Sequence, residues 1–120
     1  MIYTSGNFEN KSIIEESEPS IVYNELTKDV SSFLIDVRSK PEWNFVGFPY
    51  CKNMKNDVIF CEWAFYPLMQ KNPYFEDEIL SKLNLDSCMK LYFICRSGFR
   101  SLHAAYSVQA LLDQNIKPTF

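Results

Sequence analysis

The sequence predicts a small α/β domain, a mostly parallel sheet flanked by helices, and three observations carry that prediction. Short apolar runs of strand type recur at 33–35, 58–63 and 91–94, each too brief for a helix and bounded by polar or turn residues. Apolar residues at helical spacing occupy the segments around them, at 21, 22 and 26, at 75, 79, 80 and 83, and at 104, 105, 108, 111 and 112. Such alternation is the order of a parallel sheet with crossover helices. Finally, the first run leads into Asp36-Val37-Arg38 and the last into Cys95, so reactive side chains stand at strand carboxyl ends, where open α/β sheets bind their ligands.

The elements follow in order. Residues 1–16 form an N-terminal extension, and within it Met1 to Asn10 mix Gly, Asn and Ser without periodicity, which predicts a partly flexible terminus with no function assigned to it. The domain proper is predicted over 17–120. Ser17-Glu18-Pro19 is a helix start, with Ser17 as N-cap and Pro19 in the first turn, and the helix runs to about Thr27 over buried Ile21, Val22 and Leu26. Phe33-Leu34-Ile35 is the first strand. Pro41 and Glu42 open a short helix that carries Trp43 and ends at the turn of Gly47 and Pro49. Val58 to Trp63 reads as a second strand. Leu68 to Asn72, bracketed by Pro67 and Pro73, is irregular or a single helical turn. Asn72-Pro73 starts the next helix, with Asp77 and Glu78 near its positive end, and Leu91 to Ile94 is the third strand.

Composition excludes several function classes. One domain suits 120 residues with 47% apolar and 22% charged content, a balance that needs neither a disulfide nor a metal to fold and rules out whole-chain disorder. A net charge of −3 without any run of Lys or Arg offers no electrostatic footprint for nucleic acid. No apolar stretch approaches the ~18 residues of a membrane helix, and the N-terminus lacks the blocks of a signal peptide, so the chain reads as cytoplasmic, with no membrane partner. The four cysteines, at 51, 61, 88 and 95, match neither a metal site nor a disulfide scaffold.

The richest stretch is 91–112. A buried strand leads to Cys95-Arg96-Ser97-Gly98-Phe99-Arg100, and Ser101 to Leu112 then continues as an amphipathic helix. A cysteine at that turn faces converging backbone N–H groups and a helix N-terminus, a place that favours an anion, and a thiolate is an anion. Arg96 and Arg100 add positive charge that supports the thiolate. The alternative, a buried structural cysteine, leaves those two arginines unexplained. Asp36 and Arg38 have a plainer reading as a surface ion pair of little value, and His103, the sole histidine, reads as a solvated or packed helix residue. Cys51, Cys61 and Cys88 have no basic neighbours arranged around an anion site and read as incidental. Cys61 ends a predicted strand, so it becomes a resolving thiol only if its Cα lies within about 7 Å of that of Cys95. Trp63, Phe65, Tyr66 and Tyr74 can wall an entrance, though core packing is the preferred reading.

Cys95 and Arg100 with four residues between them, together with Ile35-Asp36-Val37-Arg38 leading to Glu42-Trp43 and Gly47, resemble the two signatures of the rhodanese-like sulfurtransferases, in particular a single-domain bacterial type. The resemblance covers about Ser17 to Leu112. It implies that Cys95 is the nucleophile, carrying sulfur as a persulfide from a small donor such as thiosulfate to a thiol or cyanide acceptor, with no metal and no cofactor. It further implies a cradle of Arg96, Ser97, Gly98, Phe99, Arg100 and Ser101, in which Gly98 permits the tight turn, and a supporting role for Asp36 and Arg38 in orienting the loop arginine.

Related cysteine phosphatases carry one more residue in the loop, so a phosphatase or arsenate reductase is the lesser enzymatic reading. A catalytically silent binding module of the same fold is the reading from another class. The chain departs from the family at Gly47-Phe48, where Gly-His is common, and after Leu112, where the family continues into a final strand and helix. That strand lies beside the catalytic one. The resemblance therefore implies that another segment of this chain, or a second copy in a homo-oligomer, covers the strand 91–94, or that the protein is destabilised.

Overall fold

The computed structural model of the chain describes residues 2–8, 11–47, 49, 52–83, 89–96 and 99–116. In chain order the elements are β1 (Ile2–Phe8), β2 (Lys11–Ser17), α1 (Pro19–Lys28), β3 (Ser32–Asp36), α2 (Lys40–Val46), β4 (Ile59–Phe60), β5 (Ala64–Phe65), β6 (Gln70–Lys71), α3 (Phe75–Lys82), β7 (Lys90–Ile94) and α4 (Phe99–Ile116). Five strands form one sheet in the order β2-β1-β7-β3-β4, and β5 pairs with β6 in a separate hairpin. The α/β class predicted from the sequence is the class observed, and its parallel part is β7, β3 and β4.

The sheet separates two cores because successive strand residues point to opposite faces. On one face Leu34 of β3 and Tyr92 of β7 pack with Val22 and Leu26 of α1. On the other, Ile35, Leu91 and Phe93 meet Phe75 and Ile79 of α3 and Ala104, Ala105, Val108 and Leu112 of α4. Small residues at 104 and 105 let α4 lie close to the strands. Each large side chain buried here stabilises the fold by roughly 1.5–3 kcal/mol, and together they hold the carboxyl ends of β3 and β7 rigid. Two residues of the helical patterns point elsewhere, since Ile21 is 60% and Leu80 47% exposed.

Strands occupy the segment that the sequence reading sets aside as an extension. Residues 2–8 and 11–17 pair antiparallel as β1 and β2, and β1 pairs antiparallel with β7 in the register Ile2↔Ile94, Tyr3↔Phe93, Thr4↔Tyr92 and Ser5↔Leu91. Ser17 is accordingly a strand residue opposite Ile2, and the cap of α1 is Glu18, with Pro19 at the first helical position. The cause is the edge of β7: its backbone groups need partners, and β1 supplies them while Ile2 is buried with Leu26 and Tyr92. The neighbour position of the strand 91–94 is thus filled by β1 of this chain.

The middle of the chain is less regular than predicted. The strand predicted at 58–63 is limited to Ile59–Phe60, although the Cys61 and Trp63 N–H groups still donate to the Asp36 and Val37 carbonyls at 3.1 and 3.2 Å. Ala64–Phe65 turns away to pair with Gln70–Lys71, so the stretch expected to be irregular contains β6. Before α3, buried Asn72 accepts the Tyr74 N–H at 2.9 Å through its side chain, a local turn that launches the helix.

Candidate active site at the ends of two neighbouring strands

The parallel pairing of β3 with β7 sets Asp36 opposite Ile94, and the Val37 N–H donates to the Ile94 carbonyl at 3.1 Å. Asp36-Val37-Arg38 and Cys95-Arg96 consequently leave the sheet side by side. Cys95 is 3% exposed. Its thiol donates to Ser101 Oγ at 3.0 Å, and the Ser101 backbone N–H donates to Cys95 Sγ at 3.3 Å. Ser101 is the third residue of α4, so its N–H is one of the helix's first donors, which have no carbonyl within the helix and are free to face a sulfur. Arg96 and Phe99 are exposed. Ser97 and Gly98, predicted to complete the cradle, lie outside the described residues, as do Phe48, Cys51 and Cys88.

Arg100 turns its guanidinium fork onto Glu42, donating at 2.5 and 2.9 Å to the two carboxylate oxygens. Glu42 Oε1 also accepts the Ser39 N–H at 3.1 Å and the Ser39 hydroxyl at 2.8 Å. The Arg100 bond, ahead of the opposing effect of burial and with help from Ser39, holds the Glu42 carboxyl down to about 2. Arg100 is raised in turn, chiefly by its bond to Glu42 and against the effect of burial. One carboxylate therefore does two things: it caps α2 in the capping-box manner and clamps the arginine at the start of α4.

Asp36 and Arg38 form a separate pair. Asp36 is fully buried, so the pair is no surface contact. Arg38 donates to both Asp36 oxygens, at 2.8 to 3.1 Å, and to the Gly47 carbonyl at 2.8 Å. Its guanidinium is raised above its ordinary value, first by that bond to Asp36. The pair thus ties the end of β3 to the C-terminus of α2, where Gly47 adopts φ 99°. The clamp on the loop arginine is Glu42. Its role is missing from the sequence reading, although Ser39-x-x-Glu42 carries the capping-box spacing that marks the residue.

Other sequence candidates sort themselves by position. Cys61 is buried, and its thiol donates to Glu78 Oε2 at 3.3 Å; burial first, then Glu78, pushes it up to about 12. It follows β4, and β3 lies between β4 and β7, so Cys61 and Cys95 are two strand spacings apart, roughly 10 Å. That exceeds the ~7 Å reach of a disulfide, and the resolving-thiol role is excluded in this structure. His103 is exposed, 6.3 Å from the Trp63 ring. Trp63 packs edge-on against Phe75 at 4.9 Å, whereas Phe65, Tyr66 and Tyr74 are exposed, so core packing holds for one of the four aromatics. Among the described residues no group of His, Cys, Asp and Glu has the arrangement of a metal site, and no helix is long and apolar enough to cross a membrane.

A cavity of about 480 Å³ opens at these strand ends, lined by Cys95, Arg38, Glu42 and Arg96 and by Tyr23, Val46, Gly47, Pro49 and Ile94. The arrangement presents a thiol with a backbone donor and a hydroxyl on its sulfur, in a cleft of mixed polarity. Chemically that is the equipment of a nucleophile whose charged forms are stabilised by N–H groups.

No protein-family model matches the chain. It is 43% identical over 83 residues to an uncharacterized protein of Rickettsia conorii and, at the same level, to an uncharacterized protein of Rickettsia montanensis encoded in the dnaA 5′ region. Each match covers 69% of this chain, and the chain spans 62% of the length of these relatives. The crystal structure of Rv0390 from M. tuberculosis superposes with a TM-score of 0.67 at 30% identity, over 83% of this chain and 70% of that one.

Proposed function

The chain belongs to the family of the M. tuberculosis protein Rv0390, and we propose, on the geometry of the site, that it is a cytoplasmic sulfurtransferase of the rhodanese type, with Cys95 as the sulfur carrier. The observation that carries the reading is the contact of the Ser101 N–H with Cys95 Sγ at 3.3 Å, at the end of a strand buried on both faces.

In the first half-reaction the Cys95 thiolate attacks the outer sulfur of thiosulfate. The new Sγ–S bond forms as the bond between that sulfur and the sulfonate breaks, and sulfite leaves with the electron pair. In the second, cyanide or a thiolate attacks the outer sulfur of the enzyme persulfide, and the Cys95 thiolate departs with the bonding pair. No metal or organic cofactor takes part in either step. The anionic persulfide is stabilised by the Ser101 N–H, with Arg100 holding the start of α4 in place.

The clamp on Arg100 also bears on the phosphatase reading. Recognition of a phosphate relies on a guanidinium fork presented to its oxygens, and here that fork is occupied by Glu42. Sulfur, which needs N–H donors only, is the better fit.

Incubation of the protein with thiosulfate followed by intact-mass analysis tests the proposal. The expected product is a species about 32 Da heavier, one sulfur atom, present in the wild type, absent in Cys95→Ser, and discharged by cyanide. Wild-type turnover by Cys95→Ser sinks the mechanism. Hydrolysis of a generic phosphate ester without sulfur transfer favours the phosphatase, and lack of an adduct with every sulfane donor favours a silent binding module.

A further inference from the structure

We propose that the β5–β6 hairpin is the surface through which two copies of this chain associate as a two-fold dimer. The inference is independent of the sulfurtransferase reading. No residue from 64 to 71 lines the Cys95 cleft, so both clefts stay open in the pair.

Area is the first argument. The pairing of Ala64 with Lys71 and of Phe65 with Gln70 folds 66–69 into one tip beyond the edge strand β4, and Tyr74 follows at the head of α3. Phe65, Tyr66, Leu68, Met69 and Tyr74 are all exposed, Leu68 to 78% and the two tyrosines to 65%. None of the five belongs to either core. At ~200 Å² for a whole aromatic side chain, they leave about 500 Å² of carbon-rich surface in water, the upper part of what a monomer exposes in one patch. Two such patches face to face bury about 1,000 Å², the size at which a specific interface begins.

The patch is also fit to meet itself. It holds rings at 65, 66 and 74 and flexible aliphatic chains at 68 and 69, and a two-fold axis sets the chains of one copy on the rings of the other, with the Met69 sulfur against an aromatic edge. Charge points the same way. Residues 63–70 carry none, and Lys71 is neutralised by Glu76 at 3.0 Å, so copies that each bear −3 can touch here without opposing like charges. A bilayer is the poorer occupant, because Glu76, Asp77 and Glu78 open α3 beside the patch and repel an anionic lipid surface.

The hairpin is held before any partner arrives. Its base is closed by the Asn72 N–H on the Trp63 carbonyl at 2.7 Å and by Asn72 Nδ2 on the Glu62 carbonyl at 3.0 Å, and Lys71 Nζ lies 4.8 Å from the centre of the Trp63 ring. Docking such a tip costs little ordering.

Sedimentation velocity and light scattering on the full chain, from about 1 to 300 µM, test the proposal. The expected result is a reversible shift from the 14.1 kDa chain to twice that mass, with hydrogen exchange at 64–71 slowing as concentration rises. A Tm that climbs with concentration accompanies it. Leu68→Asp places an unpaired carboxylate from each copy in the contact and should weaken association by at least about a hundredfold; Tyr66→Glu is the second variant. Cooperative unfolding at a Tm that no longer depends on concentration shows that a variant is folded. Ile21→Asp, also exposed but on α1 against the other face of the sheet, should leave the dimer intact. A chain that stays monomeric throughout overturns the inference, as does a dimer that survives both hairpin variants or that Ile21→Asp dissociates equally. Hairpin-dependent binding of a monomeric chain to phosphatidylcholine vesicles assigns the patch to a lipid surface and overturns it too.

Discussion

Replacing Glu42 by Gln keeps the shape of the side chain and removes its charge, so it isolates what the carboxylate does between Ser39 and Arg100. A carboxyl moved from 4.5 to about 2 corresponds to an upper bound of ~3 kcal/mol. With 21% of the Glu42 side chain and 15% of the Arg100 side chain exposed, solvent screening brings the loss to ~1–2 kcal/mol. For a chain of this length that is a fall of about 4–8 °C in Tm. The pH dependence has a definite sign. Because the folded-state value lies below the unfolded one, the unfolded chain binds the proton first as pH falls; the stabilisation is complete above about pH 5 and is lost toward pH 2. Urea unfolding followed by circular dichroism at pH 7, 5, 4 and 3 should show a gap between wild type and Glu42→Gln that shrinks with acid. A gap of constant size from pH 7 to pH 3 would refute the assignment of the charge to this clamp. Persulfide formation should slow as well, by up to about a hundredfold, since Arg100 precedes the Ser101 N–H that meets the sulfur and small displacements there are costly.

Further outcomes follow from the same geometry. Ile2→Ala removes a side chain that is 1% exposed beside Tyr92 and Leu26, and should lower the unfolding free energy by ~2–4 kcal/mol; a change near zero in denaturant titration would mean that β1 contributes nothing to the sheet. Gly47→Ala should cost ~1–3 kcal/mol, although open space surrounds the new Cβ, because φ 99° with ψ −175° is a conformation essentially limited to glycine. Hydrogen exchange of α2 would report the loosened end. Iodoacetamide at pH 8 should leave Cys61 unmodified in the folded protein, since a buried thiol pushed up to about 12 stays protonated there. Cys61→Ala should retain sulfur transfer, and peptide mapping showing Cys61 alkylated at the rate of Cys95 would contradict its burial.

Local physics made the centre of the molecule readable. Phe33-Leu34-Ile35 and Leu91 to Ile94 are buried on both faces, so they appear as unbroken apolar runs, and the helical spacing of 104, 105, 108 and 112 survives in the buried face of α4. Ser101 lies six positions from Cys95, close enough for the turn itself to bring them together. The pairing of β1 with β2 and β7 was hidden for the opposite reason. Ser5-Gly6-Asn7 has the composition of a loop, and it is strand because β2 pairs with all three residues and β7 with Ser5, partners that only the folded sheet supplies. Predicted strand 58–63 likewise yields to the competing hairpin of β5 and β6.

What the chain determines by itself is the alternation of strands and helices, the strand-end placement of Asp36, Arg38 and Cys95, and the loop from Cys95 to Arg100, because these depend on residues near one another in sequence. Tertiary structure alone decided that β1 covers β7, that Glu42 reaches Arg100 across 58 positions, that Asp36 closes on Arg38 and Gly47, and that Cys61 stands a strand too far from Cys95. Each of those is a pairing between distant groups, and hydrogen bonds and charges find such partners only after the apolar cores have brought the strands into register.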